Sequence, residues 1–160
     1  WHLVEQGTSW TEGVRTYAWS GRLPDGSIAD DGKYVVRVTL TDDCGFESEF
    51  VRLVRVDSMP PEVTFNRPAP NAAVTDPVVP VSVTVTDATG GLGTLQRYEL
   101  TAIAEIAFPL QARSVEAPVF YNVNASWNRG TRTGPARFRF LAVDAAGNET
   151  VVEQAIDLQP

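Results

Sequence analysis

The chain repeats itself. Gly32-Lys33-Tyr34-Val35-Val36-Arg37-Val38-Thr39-Leu40-Thr41-Asp42-Asp43-Cys44-Gly45-Phe46-Glu47-Ser48 returns as Gly134-Pro135-Ala136-Arg137-Phe138-Arg139-Phe140-Leu141-Ala142-Val143-Asp144-Ala145-Ala146-Gly147-Asn148-Glu149-Thr150, at a constant offset of 102 residues (134 − 32 and 144 − 42). Identical residues stand at Gly32/Gly134, Arg37/Arg139, Asp42/Asp144, Gly45/Gly147 and Glu47/Glu149, and Thr150 matches Ser48 chemically. Tyr34, Val36, Val38 and Leu40 share one face of the first copy, with Val35, Arg37, Thr39 and Thr41 on the other. In the second copy Ala136, Phe138, Phe140 and Ala142 take the inward places. Successive strand side chains point to opposite faces, so this alternation predicts strands with one buried side. Each strand runs into Asp-x-x-Gly. The Asp accepts from backbone amides just ahead of it, and the Gly takes positive φ without steric cost. A β-hairpin repeated about one domain length apart predicts an all-β chain of two tandem modules.

The rest of the sequence keeps that pattern. Val14–Trp19, Glu49–Val56, Glu62–Asn66, Val78–Thr86, Leu95–Ala102, Val119–Ala125 and Thr150–Leu158 are strand candidates, rich in Val, Thr, Phe and Tyr and bounded by Gly, Pro, Asn and Asp. Leu100–Leu110 offers a short helix through Ala102, Ala104 and Ile106, against which Pro109 and the β-branched residues count. The Gly-rich stretch from Thr86 to Thr94 reads as an interstrand turn. With 160 residues and 43% hydrophobic residues, the chain can bury real cores. Its net charge of −7 argues against nucleic acid and anionic membranes as partners. No apolar run approaches the roughly 18 residues of a membrane-crossing helix, so no membrane insertion is expected.

The clearest boundary is Asp57-Ser58-Met59-Pro60-Pro61. Two prolines fix φ, remove two backbone donors and hold the chain extended. The expected modules are therefore 1–57 and 58–160. From Pro61 to Asp144 is 83 residues (144 − 61), and 83 back from Asp42 reaches position −41. On that layout the first module lacks N-terminal strands and is half a sandwich, with an exposed core face and unpaired edges. The chain opens on Trp with no signal peptide, which suggests a processed product or an excerpt of something longer.

Tyr17-Ala18-Trp19-Ser20-Gly21-Arg22-Leu23-Pro24-Asp25-Gly26-Ser27, followed by Asp31-Gly32-Lys33-Tyr34, resembles the Ig-like domain of the flagellar hook-capping protein family, with Ser20 where that family usually has Asp. The second module resembles bacterial Ig-like and fibronectin-III-like repeats. Asp57-Ser58-Met59-Pro60-Pro61 matches their opening linker, Tyr98-Glu99-Leu100 a "Tyr-x-Leu" strand, and Asp144-Ala145-Ala146-Gly147-Asn148 their closing turn. The resemblance implies two antiparallel β-sandwich modules, with neighbouring domains of a larger polypeptide, or a strand-donating subunit, as partners. It also implies an extracellular or cell-surface bacterial setting.

The residue types point to structure rather than chemistry. Trp19, Tyr34, Asp42, Gly45, Pro60, Pro61, Trp127, Phe138, Phe140, Asp144 and Gly147 are expected to hold the fold. Trp19 and Trp127 each precede a hairpin, as core anchors or, if exposed, as sugar-stacking platforms. Trp1 and Trp10 lie outside the repeat and suit partner contacts. Calcium needs six to eight oxygens from flexible loops. The candidate ligands are Asp42, Asp57 and Asp144, with Asp76 and Asp87 the other turn aspartates of the second module. The junction near Asp57 is the first place to look, although EF-hand spacing is absent and no cofactor is otherwise expected. His2 is the sole His, so no Ser-His-Asp set can be argued. Cys44 sits beside Asp42 and Asp43, which disfavour its thiolate. Asp30/Asp31 and Asp42/Asp43 fall in turns rather than across a cleft. The expected function is a non-catalytic spacer in a large secreted or surface protein: an adhesin, a toxin shell or an accessory region of an exoenzyme. The alternatives are a carbohydrate- or protein-binding module and an assembly element completed by β-strand addition.

Overall fold

The computed structural model describes residues 16, 18–87, 95–117 and 120–160. The chain divides into two compact units, Trp1–Val56 and Asp57–Pro160. Every regular element among the described residues is a strand, so the helix considered over Leu100–Leu110 does not form. That stretch is instead the end of one strand, a bend at residues 104–106 and the start of the next.

In the first unit β1 (Gly32–Thr41) and β2 (Glu47–Val56) form an antiparallel hairpin, paired from Gly32↔Val56 to Thr41↔Glu47. Ahead of it lies a tight loop. Asp25 Oδ1 accepts from the Ser27 amide at 2.9 Å, and Arg22 bridges Ile28. Trp19 packs edge-on against Tyr34 with ring centroids 5.7 Å apart, and its indole N–H donates to the Arg22 carbonyl at 2.7 Å. Trp19 is thus a half-buried strut of this loop rather than a core residue. The candidate strand Val14–Trp19 and the residues Trp1, His2 and Trp10 lie wholly or largely outside the described residues.

The second unit is a sandwich. Its strands are β3 (Glu62–Arg67), β4 (Ala72–Val74), β5 (Val78–Thr86), β6 (Leu95–Ile103), β7 (Ala107–Ala117), β8 (Phe120–Asn128), β9 (Gly134–Asp144) and β10 (Glu149–Leu158). A three-stranded sheet, β3-β5-β8, faces a five-stranded sheet, β4-β10-β9-β6-β7. All pairings are antiparallel except β4 with β10, which is parallel. The core forms where the alternating faces meet. Val79, Val81, Val83 and Val85 come from β5, Val123 and Trp127 from β8. Tyr98, Leu100 and Ala102 of β6 meet them, together with Phe138 and Phe140 of β9 and Ile156 and Leu158 of β10. Tyr98 stacks on Phe140 at 5.6 Å, and Trp127 meets Phe138 edge-on at 5.8 Å. Pro80 sits within β5 without breaking it, because the pairing of β3 ends at Ser82 and leaves β5 no neighbour on that side.

The repeat is a geometric one. Adding 102 to each member of the pair Gly32↔Val56 gives Gly134↔Leu158, a pair of β9 and β10. The turns also match: Asp42 Oδ1 accepts from the Cys44 and Phe46 amides, as Asp144 Oδ1 does from Ala146 and Asn148. Gly45 and Gly147 take φ of +85° and +92°, the left-handed region that favours glycine. Burial differs. Phe138, Phe140 and Ala142 are fully enclosed, whereas Val38 and Leu40, inward by sequence alternation, are 41% and 37% exposed. Among the described residues β1 and β2 form a sheet of two strands, hydrogen-bonded to no third strand.

Candidate functional site

The antiparallel arrangement of the second unit brings three strand ends to one pole. β3 begins there, while β5 and β9 end there. Asp57 precedes β3, Asp87 follows β5 and Asp144 closes β9. One carboxylate oxygen from each lies within 4.8 Å of the others. Asp87 and Asp144 are buried and Asp57 is half-buried. Hydrogen bonds fix the Asp144 carboxylate. Its Oδ1 accepts from the Ala146 and Asn148 amides at 2.8 and 2.9 Å, and its Oδ2 from Asn148 Nδ2 at 2.8 Å. Asn148 Nδ2 also donates to the Asp57 and Met59 carbonyls at 3.1 and 3.3 Å, tying the turn to the incoming chain. The Thr150 hydroxyl donates to the carbonyl of Pro61, itself fully buried, while Pro60 stays exposed.

Oxygen donors of this kind suit a hard cation such as calcium, which neutralises the mutual repulsion of the carboxylates. Of the sequence candidates, Asp57 and Asp144 belong to this group. Asp42 does not: it lies in the hairpin turn of the first unit, its Oδ1 engaged by the Cys44 and Phe46 amides. Asp87 takes the third place, and Asp76 contributes only its backbone carbonyl, at the opposite pole.

That opposite pole is organised by a residue the sequence did not single out. Arg129 is 4% exposed and donates to four backbone carbonyls. Its Nε reaches Asp76 at 2.8 Å, its Nη2 reaches Thr75 at 2.6 Å and Gln159 at 2.9 Å, and its Nη1 reaches Arg132. One guanidinium thus joins the β4–β5 turn, the β8–β9 turn and the end of β10. Its planar fork of five donors makes that possible where an ammonium could not match it. Arg132 covers Phe108, its guanidinium carbon 4.4 Å from the ring centroid.

The tryptophans with described positions offer no flat exposed platform: Trp127 is 3% exposed and Trp19 half-buried. Between β7 and β8 runs a shallow open groove lined by Leu110, Gln111, Asn124, Ala125 and Ser126. The Tyr98 hydroxyl donates to Gln111 Oε1 at 3.1 Å. Burial, then the neighbouring Tyr121, push its hydroxyl above the ordinary tyrosine value, against a smaller lowering by Arg113. The Cys44 thiol is exposed in its turn.

These features define an all-β sandwich of a three-stranded and a five-stranded sheet, with an acidic group at one pole and a carbonyl-bound arginine at the other. No family model and no curated protein matches the chain. Among solved structures it is similar to the fibronectin(III)-like modules of CbhA from Clostridium thermocellum, at 20% identity and a TM-score of 0.45. That match covers 84% of this chain and 65% of the other. The fold assignment rests on the strand order and core described above.

Proposed function

We propose that the chain is a non-catalytic spacer from a large bacterial secreted or cell-surface protein, and that its work is mechanical. One observation carries this reading: the second unit takes the chain in at one pole and releases it at the other. Asp57 is held by Asn148 where β9 turns into β10, and Gln159 is held by Arg129 and Val74 where β10 ends. Between them runs the ten-residue β10, about 30 Å long at roughly 3.3 Å per residue. Near the exit β4 runs parallel to β10, in register from Ala72↔Ile156 to Val74↔Leu158. Tension between the two ends shears these strands past each other and loads their bonds together. Pulling the full chain by its ends in a force spectrometer tests the reading. The second unit holds 104 residues (160 − 57 + 1). It is expected to yield in one step releasing roughly 350 Å of chain, at about 3.6 Å per extended residue. Gradual extension without a step refutes the mechanical role.

A second reading concerns the acidic pole. The convergence of Asp57, Asp87 and Asp144 favours a calcium ion bound there, bracing the incoming linker against the turn. Thermal unfolding with calcium against chelator decides it: a calcium-dependent rise lost in Asp87→Asn supports the site, and identical curves remove it.

A further inference from the structure

A sheet edge presents unpaired backbone groups, and natural proteins blunt such edges with charge, proline, bulges or shortness. Three of the four edges in the second unit carry these devices. β3 has Glu62, Arg67 and a register break between Phe65 and Arg67. β4 is only three residues long. β7 carries Pro109 and Arg113, and its pairing with β6 slips at two places. β8 has none of them. Its nine residues, Phe-Tyr-Asn-Val-Asn-Ala-Ser-Trp-Asn, include no charge and no proline, and its register with β5 is unbroken from Phe120 to Asn128. Among the described residues no strand pairs with its outer side.

The polar groups at this edge are arranged for continuation. On the solvent face Asn66 Nδ2 donates to Thr84 Oγ1 at 2.7 Å, and Thr84 Oγ1 donates to Asn122 Oδ1 at 2.8 Å. This ladder crosses β3, β5 and β8 and engages the Oδ1 of Asn122, whose Nδ2 is a further donor at this edge. The Asn124 carbonyl meets only a long bond from Gln111 Nε2, at 3.4 Å, which places it on the open side of β8. Backbone groups two residues either way, at Asn122 and Ser126, point the same way by alternation. Phe120, at the start of the strand, is 60% exposed.

We infer that β8 is a self-association edge, on which a second copy of this chain pairs through its own β8. The two strands run antiparallel about Asn124, so two three-stranded sheets become one of six strands. Around that two-fold axis Asn124 faces its own copy, Asn122 faces Ser126 and Phe120 faces Asn128. The Asn-Thr-Asn ladder then continues onto a serine hydroxyl. The self-complementary register selects this occupant, and charge at the edge does not oppose it. Each copy carries −7 overall, yet the β8 edges bring no charge against charge, and the wider repulsion is screened beyond about 8 Å at physiological salt. The second copy also closes the groove between β7 and β8.

The test uses the full chain. Sedimentation velocity across a concentration series is expected to show a monomer–dimer equilibrium, tightened by salt. Asn124→Lys opposes two ammonium groups at the axis and is expected to weaken dimerisation about tenfold with an unchanged circular dichroism spectrum, whereas Thr64→Lys on β3 leaves it intact. In a Cys44→Ser background, Asn124→Cys is expected to form a disulfide dimer under mild oxidation. Directly paired residues stand about 5.5 Å apart at Cα, within disulfide reach. A chain that stays monomeric to about 1 mM overturns the inference. So does a dimer indifferent to Asn124→Lys but dispersed by Phe50→Lys on the β1–β2 hairpin.

Discussion

Replacing Arg129 by Met keeps most of the side-chain volume and removes every donor. Four backbone carbonyls then lose their partner: Asp76, Thr75, Gln159 and Arg132. A buried acceptor left without a donor costs about 1–3 kcal/mol. Carbonyls at a pole regain water more easily than those at a core, so the lower half of that range applies to most of them. Met also recovers the desolvation that a buried guanidinium bears, a term large enough to make some buried ion pairs dispensable. The balance is a loss of about 3–4 kcal/mol. For a unit of this size, each kcal/mol moves the melting point by about 4–8 °C, so a fall of roughly 15–25 °C is expected. Arg129→Lys keeps the charge and three donors but not the fork, and is expected to recover less than half of the loss.

Urea unfolding followed by tryptophan fluorescence measures the effect. An unchanged slope with denaturant shows that stability has moved rather than the extent of unfolding. Amide exchange locates it. The Asn71 and Gln159 amides, which bond the Ala155 and Val74 carbonyls at 2.8 and 2.9 Å, are expected to lose protection first. If Arg129→Met is neutral or stabilising, the carbonyls are adequately solvated without the guanidinium. The claim that one arginine fastens the exit pole then fails.

The repeated turns supply a matched pair. Asp144→Ala removes the acceptor of two amides and of the Asn148 side chain in a fully buried place, and is expected to cost the second unit about 2–4 kcal/mol. Asp42→Ala removes the same two amide bonds in an exposed turn and is expected to cost under about 1 kcal/mol; equal losses in denaturant titrations would contradict the role given to burial. Tyr98 sets an alkaline limit. Its hydroxyl, held above the ordinary value by burial, stays protonated in the folded state after the unfolded chain has ionised. Stability is therefore expected to be unaffected by this group below about pH 10 and to fall as pH rises above it, until the folded group ionises too. Melting curves from pH 8 to 11 should show a decline that is shallower in Tyr98→Phe.

Much of the fold is legible in the sequence because strand periodicity is a local property. β5 lies where the alternation of Val79, Val81, Val83 and Val85 puts it. The hairpin of β9 and β10 follows from Phe138, Phe140 and the Asp-x-x-Gly turn. β7 was hidden because it is an edge strand with a proline and little alternation, and β4 because three residues carry no period. The acidic pole was half legible. Asp57 and Asp144 flank recognisable elements, but the convergence of Asp87 with them depends on three strand ends sharing a pole, which only the sheet order fixes. Asn148 was visible as part of a motif, without its partners. Arg129 left no signal at all, since two of the carbonyls it binds lie 53 and 54 residues away along the chain.

The two copies of the hairpin separate what neighbours in sequence decide from what neighbours in space decide. Turn bonding, glycine conformation and strand register agree after a shift of 102 residues, although the flanking side chains differ at most positions. Those features answer to the Asp, the Gly and the alternation alone. Burial does not follow. At matched inward positions the second copy has Phe138 and Phe140 against the valines of β5, and the first has Val36 and Val38. Facing sheets stand about 10 Å apart, so long side chains on one face are matched by short ones on the other. The phenylalanines of β9 fill that gap because β5 supplies valines. The valines of β1 are the shorter half of such a pair and would need a larger residue opposite. Matched turns and matched register therefore do not carry matched burial: Phe138 and Phe140 are enclosed, while Val38 and Leu40 are partly exposed.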